Sequence, residues 1–84
     1  MLLYQHRQNK IIEVKQFVET KNLYFIHNKR QQKMLEDCTL AEATERVQKY
    51  VDKNNPTFKI KTYDNCGDKH FDIGFFHKYF IWKD

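Results

Sequence analysis

The pattern of apolar and polar positions predicts several short strands before residue 40. Residues 11–18 (IIEVKQFV) are rich in β-branched side chains and roughly alternate, which favours a strand, although their spacing also fits a helix. Residues 23–28 (LYFIHN) predict a second strand, and residues 19–22 have the length and polarity of a hairpin loop between the two. A turn at residues 28–30 leads to a third, more polar strand around residues 32–36.

A helix is predicted to follow these strands. Thr39, with Glu42 three positions later, forms the pattern of a capping box at a helix N-terminus. Apolar residues then recur at helical spacing: Leu40, Ala43, Val47, Tyr50 and Val51. The Asn-Asn-Pro sequence at residues 54–56 ends the segment, so the prediction is a helix over residues 40–53.

The remainder of the chain again alternates as strands do. Residues 58–62 place Phe58, Ile60 and Thr62 on one side, and a turn cluster occupies residues 64–68. Residues 70–76 predict a further strand with Phe71, Ile73 and Phe75 on one side. Residues 77–83 are apolar enough to continue that strand or to cross to another one.

These elements sum to an α+β fold in the order βββαββ, an antiparallel sheet with one helix packed on one face. A chain of 84 residues is too short for two ordinary domains, so we expect a single domain over residues 1–84. With one helix available, the opposite face of the sheet is either solvated or a binding surface.

Composition excludes several kinds of enzyme. The chain lacks serine and has only two glycines, so it has no serine nucleophile and no glycine-rich phosphate loop. There are two kinds of candidate catalytic pair: a thiol and an imidazole (Cys66 with His70 or His77), and an imidazole and a carboxylate (His70 with Asp68 or Glu42). Neither kind can be placed in a cleft from the sequence. The Cys66, His70 and His77 spacing does not match a zinc site. We therefore expect a protein that is not an enzyme, without metal or cofactor.

Positive charge is concentrated in the first part of the chain. Residues 1–34 contain seven Lys/Arg against two Glu, whereas residues 35–56 contain three against five acidic residues. Lysine and arginine attract phosphates without sequence preference, and lysine on a sheet edge also prevents aggregation. The predicted basic patch, for nucleic acid or for a partner protein, consists of Lys21, Lys29, Arg30 and Lys33.

Aromatic residues are concentrated near the C-terminus, where seven of the 13 lie between residues 63 and 82. Consecutive residues in a strand point to opposite faces, so the pairs at residues 75–76 and 79–80 each place one ring away from the core. The structural interpretation is a small domain that fills its core with large aromatic side chains. The functional interpretation is an aromatic patch for a partner or for a two-fold homodimer, formed by Phe76, Tyr79, Phe80 and Trp82.

The predicted order of three strands followed by a helix that begins Thr39-Leu40-Ala41-Glu42-Ala43 is similar to the front of HicB-type antitoxins. It also looks like the three-stranded DNA-reading sheets of integrase arm-binding and AP2-type domains. This resemblance covers residues 11–53 and implies an accessory protein in a mobile-element setting. It carries over no functional residues.

Together these features favour a small, non-catalytic binding protein. The role that fits best is a phage- or mobile-element-type inhibitor, of the anti-CRISPR or anti-defence kind, that docks on a protein that handles nucleic acid. The alternative is a regulator that binds DNA or RNA directly through its basic N-terminal strands. The chain has two cysteines, Cys38 and Cys66, and no apolar run long enough to be a signal peptide or to span a membrane, so we expect a cytoplasmic protein with reduced thiols.

Overall fold

The computed structural model describes residues 18–84, which form a five-stranded antiparallel sheet and one helix. The elements are β1 (Lys21–His27), β2 (Arg30–Cys38), α1 (Leu40–Asn54), β3 (Lys61–Asn65), β4 (Asp68–Phe75) and β5 (Lys78–Lys83). The predicted α+β fold, with five antiparallel strands and a single helix, is confirmed. Of the predicted strand at residues 11–18, all but Val18 lies outside the described residues, and Val18 is in a bend.

The spatial order of the strands is β2-β1-β5-β4-β3. The last segment of the chain, for which the sequence left two possibilities open, crosses to form a strand of its own. This strand, β5, lies in the centre of the sheet and pairs antiparallel with both β1 and β4. The N-terminal hairpin and the C-terminal hairpin are therefore direct neighbours in space.

Two tight turns have positive φ at both central residues, a conformation that Asn28 and Gly67 tolerate but that is uncommon for residues such as Lys29 and Cys66. Asn28 and Lys29, between β1 and β2, have φ values of 52° and 71°, and Cys66 and Gly67, between β3 and β4, have φ values of 54° and 86°. Positive φ at both central residues is typical of two-residue hairpins, because that turn matches the twist of the strands. Both turns fall within the turn segments predicted from the sequence.

The helix begins as the capping box predicts. The Thr39 hydroxyl accepts a hydrogen bond of 3.1 Å from the Glu42 backbone N–H, and the Glu42 carboxylate accepts one of 2.8 Å from the Thr39 backbone N–H. Ala43, Val47 and Val51 are buried against the sheet, with Tyr50 partly buried. Leu40, which was expected on the apolar side, is instead exposed, since it lies in the first turn of the helix.

The face of the sheet that α1 covers, here called the helix face, contains most of the core. Its buried strand residues are Leu23, Cys38, Phe71, Ile73, Phe80 and Trp82. Alternation places the even-numbered residues of β1 and the odd-numbered residues of β5 on the opposite side of the sheet, here called the far face. There Tyr24 is paired with Ile81, and Ile26 with Tyr79.

The strand predicted at residues 58–62 begins later than expected, at Lys61. Phe58 and Ile60 are partly buried against the core, as their alternation indicated, but lie in the connection that brings the chain from α1 to the edge of the sheet. Phe58 packs beside Gly74, where an added Cβ would lie 2.8 Å from the Phe58 ring. Close packing of this connection explains why the strand starts only after it.

Candidate binding surfaces

Two residues of the predicted aromatic patch belong to the core. Phe80 has none of its surface exposed and Trp82 only 5%. Phe80 packs against Phe25 and Tyr50, with ring centroids 4.9 and 5.4 Å away. The Trp82 indole N–H donates a hydrogen bond of 3.0 Å to the Cys38 carbonyl. Because both rings lie under the helix, the prediction that Phe80 and Trp82 contact a partner is corrected.

The other two residues of that patch are accessible. Phe76 lies in the turn between β4 and β5 and is fully exposed, at 101% of its reference surface. Tyr79 is half-buried on the far face. The expectation that one ring of each consecutive aromatic pair lies away from the core is thus confirmed, and the accessible members are Phe76 and Tyr79.

Phe76 lies at the same end of the sheet as two of the predicted basic residues. The backbone N–H of Asn28, in the turn that also contains Lys29, donates a hydrogen bond of 3.1 Å to the carbonyl of His77. The rings of His27 and His77 are 5.3 Å apart. We call this end of the sheet the basic tip, defined by His27, Lys29, Arg30, Phe76, His77 and Lys78.

Acidic residues are missing from the segments that build the basic tip. Residues 21–35 and 73–83 contain six Lys/Arg and no Asp or Glu. Because β1 and β5 are adjacent in the sheet, these two segments form one continuous region. The basic tip is thus a positively charged surface with an exposed aromatic ring in it.

Lys21 and Lys33 do not join Lys29 and Arg30, so the predicted basic patch is not a single surface. Lys21 is at the opposite end of β1, about 20 Å along the strand from the basic tip. Its ammonium donates a hydrogen bond of 3.2 Å to the Gly67 carbonyl and lies 3.4 Å from the Glu19 carboxylate. It also lies 5.1 Å from the centre of the Trp82 ring. Lys21 therefore ties β1 to the turn between β3 and β4.

Lys33 lies on the far face, paired with Tyr24 of the neighbouring strand. Its ammonium is 3.9 Å from the Glu36 carboxylate, and both side chains are largely exposed. A pair of this kind contributes little to stability. Lys33 is thus accessible, but on a different surface from the basic tip.

The far face carries a row of rings that sequence reasoning missed. Tyr63, His70 and Tyr79 lie on the three successive strands β3, β4 and β5. The Tyr63 and His70 ring centroids are 5.1 Å apart at an interplanar angle of 23°, and those of His70 and Tyr79 are 6.0 Å apart at 16°. We call this row the ring stack. The ring stack depends on the register between the strands, which pairs Tyr63 with His70.

A shallow depression runs beside the ring stack. It is lined by the three stacked rings together with Asn65, Asp72, Phe75 and Phe76. The Asp72 carboxylate accepts a hydrogen bond of 2.9 Å from the Gly74 backbone N–H, so it is partly committed to holding the end of β4. Through Phe76 the depression adjoins the basic tip.

The candidate catalytic groups are spread over the helix, β4 and the turns at the two ends of β4. Cys66 is exposed in the turn at one end of β4, and His77 is in the turn at the other end, about 25 Å away. His70 is stacked between two tyrosines, and Glu42 caps the helix. Within residues 18–84, no group of three or more His, Cys, Asp or Glu side chains is placed to hold a metal ion.

The two cysteines are both free thiols in different surroundings. Cys38 is buried at the end of β2, and Cys66 is exposed. Burial raises the pKa of the Cys38 thiol, although the nearby Trp82 side chain acts in the opposite direction. Cys66 is therefore the more accessible thiol.

Within the described residues there is no helix of the length and apolarity needed to cross a membrane. Comparisons of the chain with protein-family models, with curated proteins and with solved structures found no match.

Proposed function

We propose that this chain is a small, non-catalytic binding protein that docks through its basic tip on an acidic surface of a protein that handles nucleic acid. The observation that carries the proposal is that Phe76, Lys29 and Arg30 all lie at one end of the sheet. A fully exposed phenylalanine is an apolar anchor for a partner's pocket, and the positive charge of Lys29 and Arg30 steers the approach to a negatively charged surface.

The proposed mechanism is steric. The basic tip lies at the end of two interior strands of the sheet, β1 and β5. A partner site occupied by this tip would be closed to the nucleic acid or protein that normally binds there. The small size and the composition suit an inhibitor from a phage or another mobile element, of the anti-CRISPR or anti-defence kind, that acts in the cytoplasm.

The test compares partner capture by tagged variants in lysates that have been treated with nuclease. Phe76→Ala removes the anchor, and Lys29→Glu with Arg30→Glu reverses the charge. Lys49→Glu, at an exposed position on the helix, is the control for charge reversal. We expect the same protein to be captured by the unmodified chain and by the Lys49 variant, and at least tenfold less of it by the other two.

Two results would count against the proposal. If the captured protein were retained equally by all variants, the basic tip would not be the docking surface. If capture were lost on nuclease treatment, the alternative of direct DNA or RNA binding through the basic strands would replace docking on a protein. In that case binding would weaken steeply with salt, because each neutralised phosphate releases counterions.

A further inference from the structure

The ring stack on the far face ends in a tyrosine that is open on its outer side. Tyr63 is on the edge strand β3 and is 52% exposed, whereas His70 and Tyr79 are half-buried. The rings are nearly parallel, at 23° and 16°, so the outer face of Tyr63 continues their direction. A further flat ring can therefore extend the stack without any rearrangement of the sheet.

Three lysines lie on the same face, together with Asp72, which is opposite Lys61 on β4. Lys61 is two residues before Tyr63 on β3 and so shares its face, about 7 Å along the strand. Lys83 lies on the far face of β5, with its ammonium 5.1 Å from the centre of the Tyr24 ring, and Lys33 is opposite Tyr24 on β2. The lysines are thus distributed across the sheet, on three different strands.

Stacked flat rings and lysines on one sheet face suit single-stranded nucleic acid. Unpaired bases stack on aromatic side chains, and the phosphates between them attract lysine. A protein partner could use the rings, but it would not need three separated lysines. We propose that a single nucleic-acid strand crosses the far face, with one unpaired base stacked on Tyr63 and its phosphates near Lys61, Lys83 and Lys33.

This inference goes beyond docking through the basic tip, because it concerns another surface and another ligand. It can be tested with the purified full-length chain alone. The probe is a fluorescently labelled single-stranded DNA of 12 thymidines, titrated by fluorescence anisotropy at several salt concentrations. A duplex of 12 thymidines with 12 adenosines is the second probe, since its bases are paired and cannot stack on Tyr63.

We expect Tyr63→Ala to weaken single-strand binding about tenfold and to leave duplex binding unchanged. Tyr63→Phe should retain most of the affinity, because it keeps the ring. Thr62→Ala is the matched control, since Thr62 is exposed on the same strand but paired with Phe71 on the helix face. Circular dichroism of each variant establishes that the sheet is intact.

The proposed contacts of the lysines with phosphates are tested by the salt dependence of single-strand binding. Neutralising three phosphates gives a slope of log affinity against log salt of about −2, and Lys61→Ala should reduce its magnitude by about 0.7. Lys49→Ala, on the helix, should leave the slope unchanged. The proposal is overturned if the unmodified chain does not bind the single strand, or if Tyr63→Ala binds both probes as the unmodified chain does. It is also overturned if Tyr63→Ala weakens both probes equally.

Discussion

Gly74 offers a sharp test of how the end of β4 is held in place. It has a φ of +89°, a conformation that side-chain-bearing residues rarely adopt, and it lies where the register between β4 and β5 is irregular. A methyl group added there would be 2.5 Å from the Asn55 amide nitrogen and 2.8 Å from the Phe58 ring. The Asn55 amide also donates a hydrogen bond of 3.2 Å to the Ile73 carbonyl, so moving it would lengthen that bond.

The expected cost of Gly74→Ala has two parts. Forcing alanine into the left-handed region costs about 1–2 kcal/mol. Crowding a packed site costs about 1–3 kcal/mol more. The total of about 2–5 kcal/mol is a large fraction of the free energy of unfolding of a typical domain, which is roughly 5–15 kcal/mol.

Gly67 provides the matched control. Its φ of +86° is nearly the same, but an added methyl group there would have no neighbour within 4 Å. Gly67→Ala should therefore cost only the conformational part, about 1–2 kcal/mol. The difference between the two variants isolates the crowding by Asn55 and Phe58.

The assay is equilibrium unfolding in urea, followed by the fluorescence of Trp82, the single tryptophan of the chain. Because Trp82 is in the core, its emission reports loss of the packing between helix and sheet. If the two alanine variants lost equal stability, the close packing of residues 55 and 58 against Gly74 would be refuted. A smaller loss for Gly74→Ala than for Gly67→Ala would refute it more strongly.

Two further predictions concern the helix cap and the thiols. Thr39→Ala should lower the free energy of unfolding by about 1 kcal/mol through loss of the capping hydrogen bond, whereas Thr44→Ala, in the body of the helix, should change it less, as urea unfolding will measure. Cys66 should be alkylated by iodoacetamide well before Cys38, as mass spectrometry will follow. Because burial raises the pKa of Cys38, its thiolate forms only at higher pH, and rapid alkylation of Cys38 near neutral pH in the folded protein would contradict this arrangement.

Local patterns predicted the helix and the turns because their causes lie within a few residues. The capping box needs only Thr39 and Glu42, and the hairpin turn needs only residues that tolerate positive φ, such as Asn28 and Gly67. Strand alternation is equally local, and it correctly placed Phe71 and Ile73 on the buried side. None of these inferences required a contact between distant parts of the chain.

The candidate surfaces depended on distant contacts, and there the sequence was a poorer guide. Density of aromatic residues could not separate Trp82, which fills the core, from Phe76, which is fully exposed. Density of charge could not separate Lys29 from Lys21, although both are in the same short segment. Lys21 is engaged with Gly67, 46 residues away along the chain.

The topology also changes the relation between the two surfaces that the sequence predicted. Charge in residues 1–34 and rings in residues 63–82 are far apart along the chain, which suggested two independent patches. Because β5 inserts between β1 and β4, the turn with Lys29 and the turn with Phe76 lie at one end of the sheet, while Tyr79 points to the far face. Phe76 borders both the basic tip and the depression beside the ring stack. A partner protein on the basic tip and a nucleic-acid strand on the far face would therefore both contact Phe76. Substitution of Phe76 alone would not distinguish the two kinds of binding. Substitutions of Arg30 and of Tyr63 would distinguish them, because these two residues lie on separate surfaces.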